Sequence, residues 1–403
     1  MKTIALLGAG LEQVDVIKLA KNLGYNVISL DSNISAPGAK ISDRFFRCDI
    51  SSVNAVHKIL KNLEIDGVMV HGVELSTVVS EVSSMLGLKS ITTEAAKNST
   101  HKLKRLEILK KNKIPCAIFG SASDLIEAKK IAKDIGYPVV IKPVDNAGSR
   151  GVILIKSELD LEKYFYESLS NCKFEKLVLI EEHMEGHQIS SETVVYNKKM
   201  FTTGFSDRNY EKMDVYHPYF IEDGSDMPSN LNQKIKTKTI ELIEKTIRVL
   251  GIDFGAAKGD LLIKNGVPYV IEMASRTSGG RFATHQVPNS TGVNILKPLL
   301  QMSCNDDVDQ NDFIPKFCLG SSQRYIIPKP GKIISVNGIN NIHQFPGVSS
   351  VFIDKNIQIG TKIPPIISHI PRIGVVMATG KTRNEAKFNA IKARDSIQII
   401  TDE

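Results

Sequence analysis

The sequence predicts an α/β protein with more than one domain, on three observations. Short apolar strands alternate with amphipathic helices over residues 2–90, a pattern typical of a parallel sheet with right-handed crossovers. The chain of 403 residues is longer than one hydrophobic core normally organises. After Pro315, strand-like segments punctuated by proline and glycine replace the earlier alternation. We therefore predict a parallel-sheet domain, a large central region and a small α+β domain at the C-terminus.

The N-terminal region contains predicted strands at residues 3–7, 26–30 and 67–70 and predicted helices at 14–23, 53–63 and 76–86. Its first strand ends in G-A-G-L-E-Q and its second ends at Asp31, which approximates a dinucleotide-binding fingerprint. Gln13 stands where the third glycine of that fingerprint should be. This departure disfavours a nicotinamide or flavin cofactor.

The rest of the chain is predicted to mix helices with hairpins. A helix over residues 101–111 has Ser99 or Thr100 as its expected N-cap, and a helix over 124–135 ends at Gly136. The other central elements are helices at 159–169 and 234–250, strands at 118–119 and 177–181, antiparallel strands within 187–221, and a strand–turn–strand unit at 253–271. The C-terminal elements are strands at 318–327, 331–336, 348–353 and 372–379 and a helix at 383–397.

Composition and charge exclude several classes of function. The net charge of +7 is spread over interspersed lysines and acids, so we expect no nucleic-acid partner. The five cysteines are scattered, without the C-x-x-C spacing of a zinc site, and fit a reducing compartment. No apolar run approaches the ~20 residues of a membrane span, and the N-terminus lacks a signal-peptide pattern. We therefore expect a cytoplasmic protein with no membrane partner.

The most informative segment is E-M-A-S-R-T-S-G-G, from Glu272 to Gly280. It follows an apolar strand that pairs with a neighbouring strand carrying Asp260. Two carboxylates on adjacent strands supply the oxygen ligands that Mg²⁺ prefers and shares with substrate phosphates. Arg276 offers a planar fork to a phosphate or acyl-phosphate oxygen. The pattern predicts a metal and phosphate site.

A second segment, V-V-I-K-P-V-D-N-A-G-S-R-G-V, strengthens that interpretation. An apolar strand delivers Lys142, and a loop with Gly148, Ser149 and Gly151 follows directly. Glycines let backbone N–H groups approach phosphate oxygens closely, and the lysine adds a positive charge beside them. The loop differs from the G-x-x-x-x-G-K-[ST] pattern of P-loop proteins. We predict a nucleotide-phosphate loop of a different type.

Taken together and in this order, the motifs resemble the ATP-grasp superfamily. The resemblance implies an α/β architecture with a Rossmann-like domain at residues 1–98, a two-lobed α+β ATP-grasp domain at 99–303 and a small α+β domain at 304–403. It also implies a mobile lid at about residues 115–186. The run G-V-V-M-A-T-G-K-T-R-N-E-A, from Gly374 to Ala386, resembles the end of family members that ligate a carboxylate to an amine.

The resemblance also implies roles for individual residues, with ATP and Mg²⁺ (or Mn²⁺) as cofactors. Arg276 and Lys142 would be catalytic, and Asp260 and Glu272 would hold the metal. Many members have an asparagine as a further metal ligand where this chain has Ala274, so the number of metals stays open. The nucleotide would be bound by Lys102, Lys142, Gly148, Ser149, Gly151, Glu181, Glu182, Met184 and Gln188.

The function implied by the resemblance is formation of an amide bond through an acyl phosphate, from small-molecule carboxylate and amine substrates. Two alternatives stay open: a bicarbonate-activating carboxylase of the purine-biosynthesis type, and a non-enzymatic ATP-binding regulator. A homodimer is the assembly that we consider. The candidate substrate-binding residues are Glu12, Glu74, Arg281 and His285, and a loop with Asp207, Arg208 and His217 is a further candidate.

Overall fold

The computed structural model describes residues 1–402, and its N-terminal domain is a parallel sheet covered by helices. The elements of this domain are β1 (Thr3–Leu7), α1 (Val14–Asn22), β2 (Asn26–Asp31), β3 (Arg44–Arg47), α2 (Val53–Leu60), β4 (Gly67–Val70) and α3 (Ser76–Met85). The strands follow the order β3-β2-β1-β4, and every pair is parallel. The sheet is buried as the apolar runs predict, and its carboxyl edge faces the centre of the molecule.

Contacts within the chain hold the loop after β1. Asp31 accepts a hydrogen bond from the Ala9 N–H (2.8 Å). The buried Gln13 side chain donates to the His71 carbonyl (2.7 Å) and fills the place that a glycine would leave open. Gln13, the residue that departs from the dinucleotide fingerprint, therefore links the loop after β1 to the residue that follows β4.

The first lobe of the central region begins with two helices and continues with an antiparallel sheet. Its elements are α4 (Thr93–Thr100), α5 (Lys102–Lys111), β5 (Phe119–Ala122), α6 (Leu125–Ile135), β6 (Val139–Pro143), β7 (Ile153–Ile155), α7 (Glu158–Ser170) and β8 (Val178–Glu182). The sheet has the order β5-β8-β6-β7 and packs against α6 and α7 around Phe165 and Ile141. The glycine loop joins β6 to β7.

The second lobe and the C-terminal region share one sheet. Their elements are β9 (His187–Tyr196), β10 (Lys199–Asn209), α8 (Met213–Tyr216), β11 (Gly224–Met227), α9 (Gln233–Leu250), β12 (Gly255–Lys264), β13 (Val267–Ala274), α10 (Val287–Thr291), α11 (Leu296–Ser303), β14 (Gly320–Ile326), β15 (Gly331–Asn337), β16 (Val348–Ile353), β17 (Lys362–Ile363), β18 (Gly374–Gly380), α12 (Arg383–Asp395) and β19 (Gln398–Thr401). The eight-stranded order is β13-β12-β9-β10-β11-β14-β18-β16, entirely antiparallel. β17, β15 and β19 form a separate small sheet.

A fully buried ion pair joins the two parts of the eight-stranded sheet. Arg324 on β14 donates to both oxygens of Asp226 on β11, at 2.9 and 3.0 Å, and neither side chain is exposed. Removing one partner of a buried pair would leave the other charge unpaired inside the fold and would destabilise it. This contact therefore holds the C-terminal β-strands against the central region. The three-domain boundaries given above remain a prediction.

The structure confirms the predicted α/β class and most elements, with small shifts of their ends. One prediction was wrong: Ser99 and Thr100 do not cap the helix at residue 101, because they lie inside α4. His101 is the N-cap of α5, and its side chain accepts from the Lys104 N–H. Among residues 1–402, no helix has both the length and the apolar character needed to cross a bilayer.

Candidate active site

A cleft of about 720 Å³ lies where the N-terminal domain, both central lobes and the C-terminal strands meet. One end is bounded by the glycine loop and by the segment after β8. A second set of lining residues comes from β10, β14 and the segment before β18, and it meets the glycine loop at His369. We call these the nucleotide end and the acceptor end, because the predicted phosphate loop lies at the first. Most predicted site residues line this one cleft.

The glycine loop covers the nucleotide end in a closed position. Ser149 donates its hydroxyl to the Phe220 carbonyl (2.6 Å), and the Gly148 carbonyl accepts from the His369 N–H (3.2 Å). Gly151 has a φ of +70°, and a Cβ there would lie 2.9 Å from the Cβ of Asn171, so the position requires glycine. The loop from the first lobe therefore contacts the second lobe and the C-terminal region.

Two lysines point into the cleft beneath this loop. Lys142 is buried on β6, and its Nζ lies 2.5 Å from the Oε2 of Glu181 on β8. Lys102, at the start of α5, donates to the Asn146 carbonyl in the glycine loop. Burial lowers the pKa of Lys102 to about 8, against the opposing charge of Glu272. An anion placed between these lysines would satisfy charges that the fold has partly desolvated.

The segment after β8 is the predicted adenine-binding hinge. The Glu182 N–H donates to the Ile118 carbonyl (2.8 Å), and the His183 N–H donates to the Pro138 carbonyl (3.2 Å). Within residues 1–402, the Met184 N–H has no acceptor, and Met184 lines the cleft beside Gln188. The Met184 N–H is thus the hinge donor that is free to bind a purine edge, whereas the Glu182 N–H is used by the fold.

The two predicted metal ligands face each other across β12 and β13. Asp260 and Glu272 are register partners, and Ser190 on β9 donates to Asp260 Oδ1 (2.8 Å). Although burial raises the pKa of Asp260, the charges of Arg208 and Lys258 outweigh it and hold that pKa below its ordinary value. Burial is likewise outweighed at Glu272, chiefly by Lys258, so its pKa lies well below the usual range. Both groups are therefore carboxylates at neutral pH.

The predicted catalytic arginine and one candidate substrate residue form an ion pair. Arg276 Nε lies 2.7 Å from Glu74 Oε2, and Arg276 Nη1 donates to the Thr277 carbonyl (3.0 Å). Burial lowers the pKa of Arg276, but the charge of Glu74 outweighs it, and the net effect is to raise that pKa. Glu74 Oε1 is buried and has no hydrogen-bond partner within residues 1–402. The pair brings an unsatisfied acceptor from the N-terminal domain to the cleft.

The other three candidate substrate residues do not line the cleft. Arg281 is buried, pairs with Asp15 (2.7 Å), and lies over the Phe352 ring at 3.8 Å from its centroid. His285 packs edge-on against the same ring. Glu12 lies 3.4 Å from Arg281, on the same side. The structure thus places Glu12, Arg281 and His285 at the junction of the N-terminal and C-terminal domains, because the buried arginine is already fully engaged there.

The acceptor end contains Arg208, a further candidate from the sequence that lies on β10 and not in a loop, and Arg372, which the sequence interpretation missed. Arg372, before β18, stacks on Tyr325 at 4.0 Å; its Nε and Nη2 are buried without hydrogen-bond partners within residues 1–402, and Nη2 lies 3.7 Å from Glu222 Oε2. Arg208 pairs with Asp260 and Glu222, each at 3.0 Å, but its Nε is also unpartnered. His369 completes this wall. Arginine donors without hydrogen-bond partners give the acceptor end the chemistry to bind an anionic group.

ATP and Mg²⁺ fit the residues present in the cleft. The nucleotide end offers a free hinge N–H at Met184 and two desolvated lysines. Glu272 Oε1 has no partner within residues 1–402 and its side chain is 28% exposed, so it can ligate a metal bound to phosphates. Asp260 is less free, because three protein groups already contact its oxygens.

Comparison with protein families settles the class. Residues 99–280 match the family model for the ATP-grasp domain, and residues 324–402 match that for the L-amino acid ligase C-terminal domain 2. Residues 99–280 therefore form an ATP-grasp domain. ATP-grasp enzymes use ATP and Mg²⁺, and this protein is an ATP-dependent ligase-type enzyme with the predicted architecture. The regulator alternative is therefore not retained.

Individual ATP-grasp relatives match along the whole chain at low identity. The formate-dependent phosphoribosylglycinamide formyltransferase of Sulfurisphaera tokodaii is 24% identical, covering 99% of this chain and 97% of its own. The crystal structure of an L-amino acid ligase from Bacillus licheniformis has a TM-score of 0.86 at 20% identity, covering 100% and 99% of the two chains. A carboxyaminoimidazole ribonucleotide synthase from Aspergillus clavatus, complexed with ATP, has a TM-score of 0.78 at 17% identity, covering 98% and 99%. These structures share the fold.

Proposed function

We propose that this protein is an ATP-dependent carboxylate–amine ligase that forms an amide bond through an acyl phosphate and releases ADP and phosphate. The observation that carries the proposal is a single cleft lined by two different sets of charged groups. The lysines Lys102 and Lys142 line the same cleft as arginines whose donors lack hydrogen-bond partners, and the Arg276–Glu74 pair lines it as well. A ligase needs such an arrangement, because it must hold a nucleotide and an acid in line.

In the first step, a carboxylate oxygen of the acid attacks the γ-phosphorus of ATP. An O–P bond forms, the bond between the γ-phosphorus and the bridging oxygen breaks, and ADP leaves. Lys142 and Arg276 offset the charge on the transferring group, and Lys102 holds the glycine loop over the phosphates. Glu272, with Asp260 beside it, would hold Mg²⁺, which supplies further charge neutralisation when bound.

In the second step, the amine nitrogen attacks the acyl carbon, a C–N bond forms, and phosphate leaves as the C–O bond breaks. The incoming amine is held as an ammonium, which must give one proton to a base before its nitrogen attacks and a second to the departing phosphate. Glu74 Oε1 is the unsatisfied acceptor beside Arg276, and we assign it to holding the ammonium and accepting the first proton. The contacts of Ser149 and Gly148 keep the loop closed, which protects an acyl phosphate from water.

The second candidate is activation of a one-carbon acid, either bicarbonate, as considered above, or formate, and it differs from the first candidate in the acid that is phosphorylated. The full-length relatives favour it, because several are described as formate-dependent phosphoribosylglycinamide formyltransferases. The C-terminal match to the L-amino acid ligase model favours the first candidate, because that region supplies Arg372 and Tyr325 to the acceptor end.

ADP release by the purified protein separates the two candidates. One panel contains amino-acid pairs, and a second contains formate or bicarbonate with phosphoribosylglycinamide. The first candidate predicts ADP release that requires both an amino acid and an amine, with an equal amount of amide. An Arg372→Met variant should raise the KM for the acid or amine far more than the KM for ATP. Release only with formate or bicarbonate would establish the second candidate instead.

A further inference from the structure

Lys258 is a charged residue of the cleft that the proposed mechanism does not use. It lies on β12, two residues before Asp260, so both side chains point to the same face of the sheet. On β13, the register partner of Asp260 is Glu272, and that of Lys258 is Ala274. The small Ala274 side chain contributes no ligand oxygen and leaves space opposite Lys258. Lys258 therefore lies beside Asp260 and Glu272 on one face of the β12–β13 hairpin.

The Lys258 ammonium lies between the two carboxylates. Its Nζ is ion-paired with Asp260 Oδ2 and lies 3.5 Å from Glu272 Oε2, and its side chain is only 13% exposed. Arg208 Nη1 contacts the same Asp260 oxygen at 3.0 Å, and Ser190 occupies the other. The Asp260 side of the pair is therefore saturated by protein groups, whereas Glu272 keeps one free oxygen.

We propose that Lys258 is a tethered cation that takes the place of one of two divalent ions between Asp260 and Glu272. The nucleotide complex then binds a single Mg²⁺, on Glu272 and the phosphates. The physical reason is charge: Lys258 and Arg208 already balance the two carboxylates, and a second divalent ion would lie beside a buried ammonium. A lysine ammonium can fill this position because it is a compact point charge with three donors.

This inference rests on the proposed function only through MgATP binding, and it does not depend on which bond the enzyme makes. It predicts a metal count, which is measured without turnover. If no acid and amine support ADP release, the predicted number of bound metal ions per chain does not change. If the measured number of metal ions differs from the prediction, the proposal of amide formation is unaffected. The two results are therefore distinguishable.

The test is the number of Mn²⁺ ions bound by the full chain with saturating adenylyl imidodiphosphate, measured by electron paramagnetic resonance. The wild type should bind one Mn²⁺ per chain. Lys258→Met keeps the length of the side chain and removes its charge, so it should bind two, with the second at least about tenfold tighter than in the wild type. Lys21→Met is a matched control, because it removes a lysine paired with Asp43 on the N-terminal domain, and it should bind one.

Thermal unfolding gives a second readout on the same proteins. Removing Lys258 leaves the carboxylates less compensated, so Mn²⁺ without nucleotide should raise the Tm of Lys258→Met more than that of the wild type. Two Mn²⁺ per wild-type chain would overturn the proposal. One Mn²⁺ per chain in Lys258→Met, with the same Tm rise as the wild type, would overturn it as well. If Lys258→Met does not fold, the wild-type count decides alone.

Discussion

Replacing Lys142 by methionine separates the stabilising role of this lysine from its nucleotide-binding role. In the structure, Lys142 Nζ lies 2.5 Å from Glu181 Oε2, and the two side chains are 9% and 10% exposed. Methionine keeps most of the apolar contacts and removes the charge. The Glu181 carboxylate is then left without its partner inside the fold. Breaking such a buried pair from one side costs about 3–5 kcal/mol of folding free energy.

The same lysine is expected to contact the phosphates of the bound nucleotide. A hydrogen bond to a charged group contributes roughly 1.5–3 kcal/mol, which corresponds to about a 10- to 150-fold increase in Kd when it is lost. A Lys142→Met/Glu181→Gln double variant removes the unpaired carboxylate without restoring the ammonium. We therefore expect the double variant to recover most of the lost stability but none of the lost affinity for MgADP. Glu181→Gln alone should bind at least as tightly as the wild type.

Urea unfolding and calorimetric titration with MgADP measure these two quantities on the same four proteins. Lys129→Met is the control, because Lys129 pairs with Glu158 and Glu162 on the surface and its loss should leave the urea midpoint close to that of the wild type. The reasoning would be refuted if the double variant regained wild-type affinity, since Lys142 would then act only by pairing with Glu181. It would also be refuted if Lys142→Met unfolded at the wild-type urea concentration.

Three further predictions follow from buried charges. Glu272→Gln should abolish ADP release and leave the circular dichroism melt intact, because it removes an anionic metal ligand; activity at ordinary Mg²⁺ would contradict this role. Burial raises the pKa of Glu192 from 4.5 to about 7, so its ionisation destabilises the fold as pH rises across that range, by roughly 3 kcal/mol at most. The Tm advantage of Glu192→Gln over the wild type should therefore grow between pH 5 and pH 8, and a constant difference would refute it. Arg324→Met should lower the unfolding free energy by about 3–5 kcal/mol in urea, and an Asp226→Leu second substitution should recover part of it.

The parts of the structure that the sequence predicted are those with strong local signals. The hairpin of β12 and β13 is fixed by K-N-G between two apolar strands, and it brings Asp260 and Glu272 into register. The end of α9 is fixed by Gly251, which adopts a φ of +76°. By contrast, α4 reads T-E-A-A-K-N-S-T and has no long apolar stripe, so nothing local separated it from α5.

The acceptor end was not predictable because it depends on contacts between distant segments. Arg372 reaches Tyr325 only because β14 pairs with β18, and both reach Arg208 only because β11 joins β14 to β10. The position of Lys258, by contrast, depends on a local pattern. It lies two residues before Asp260 on one strand, so both side chains are on the same face of the sheet. The assignment of Arg281 to substrate could not anticipate Asp15 and Phe352, which come from other domains and occupy its guanidinium.

The most direct test of the account follows oxygen from the acid substrate. Acid labelled with oxygen-18 in its carboxylate is incubated with the enzyme, MgATP and the amine identified by ADP release, and the released phosphate is analysed by mass spectrometry. The account predicts one labelled oxygen in each phosphate formed, because the carboxylate attacks the γ-phosphorus and the C–O bond breaks in the next step. Label found in AMP, or unlabelled phosphate alongside amide formation, would contradict an acyl-phosphate mechanism.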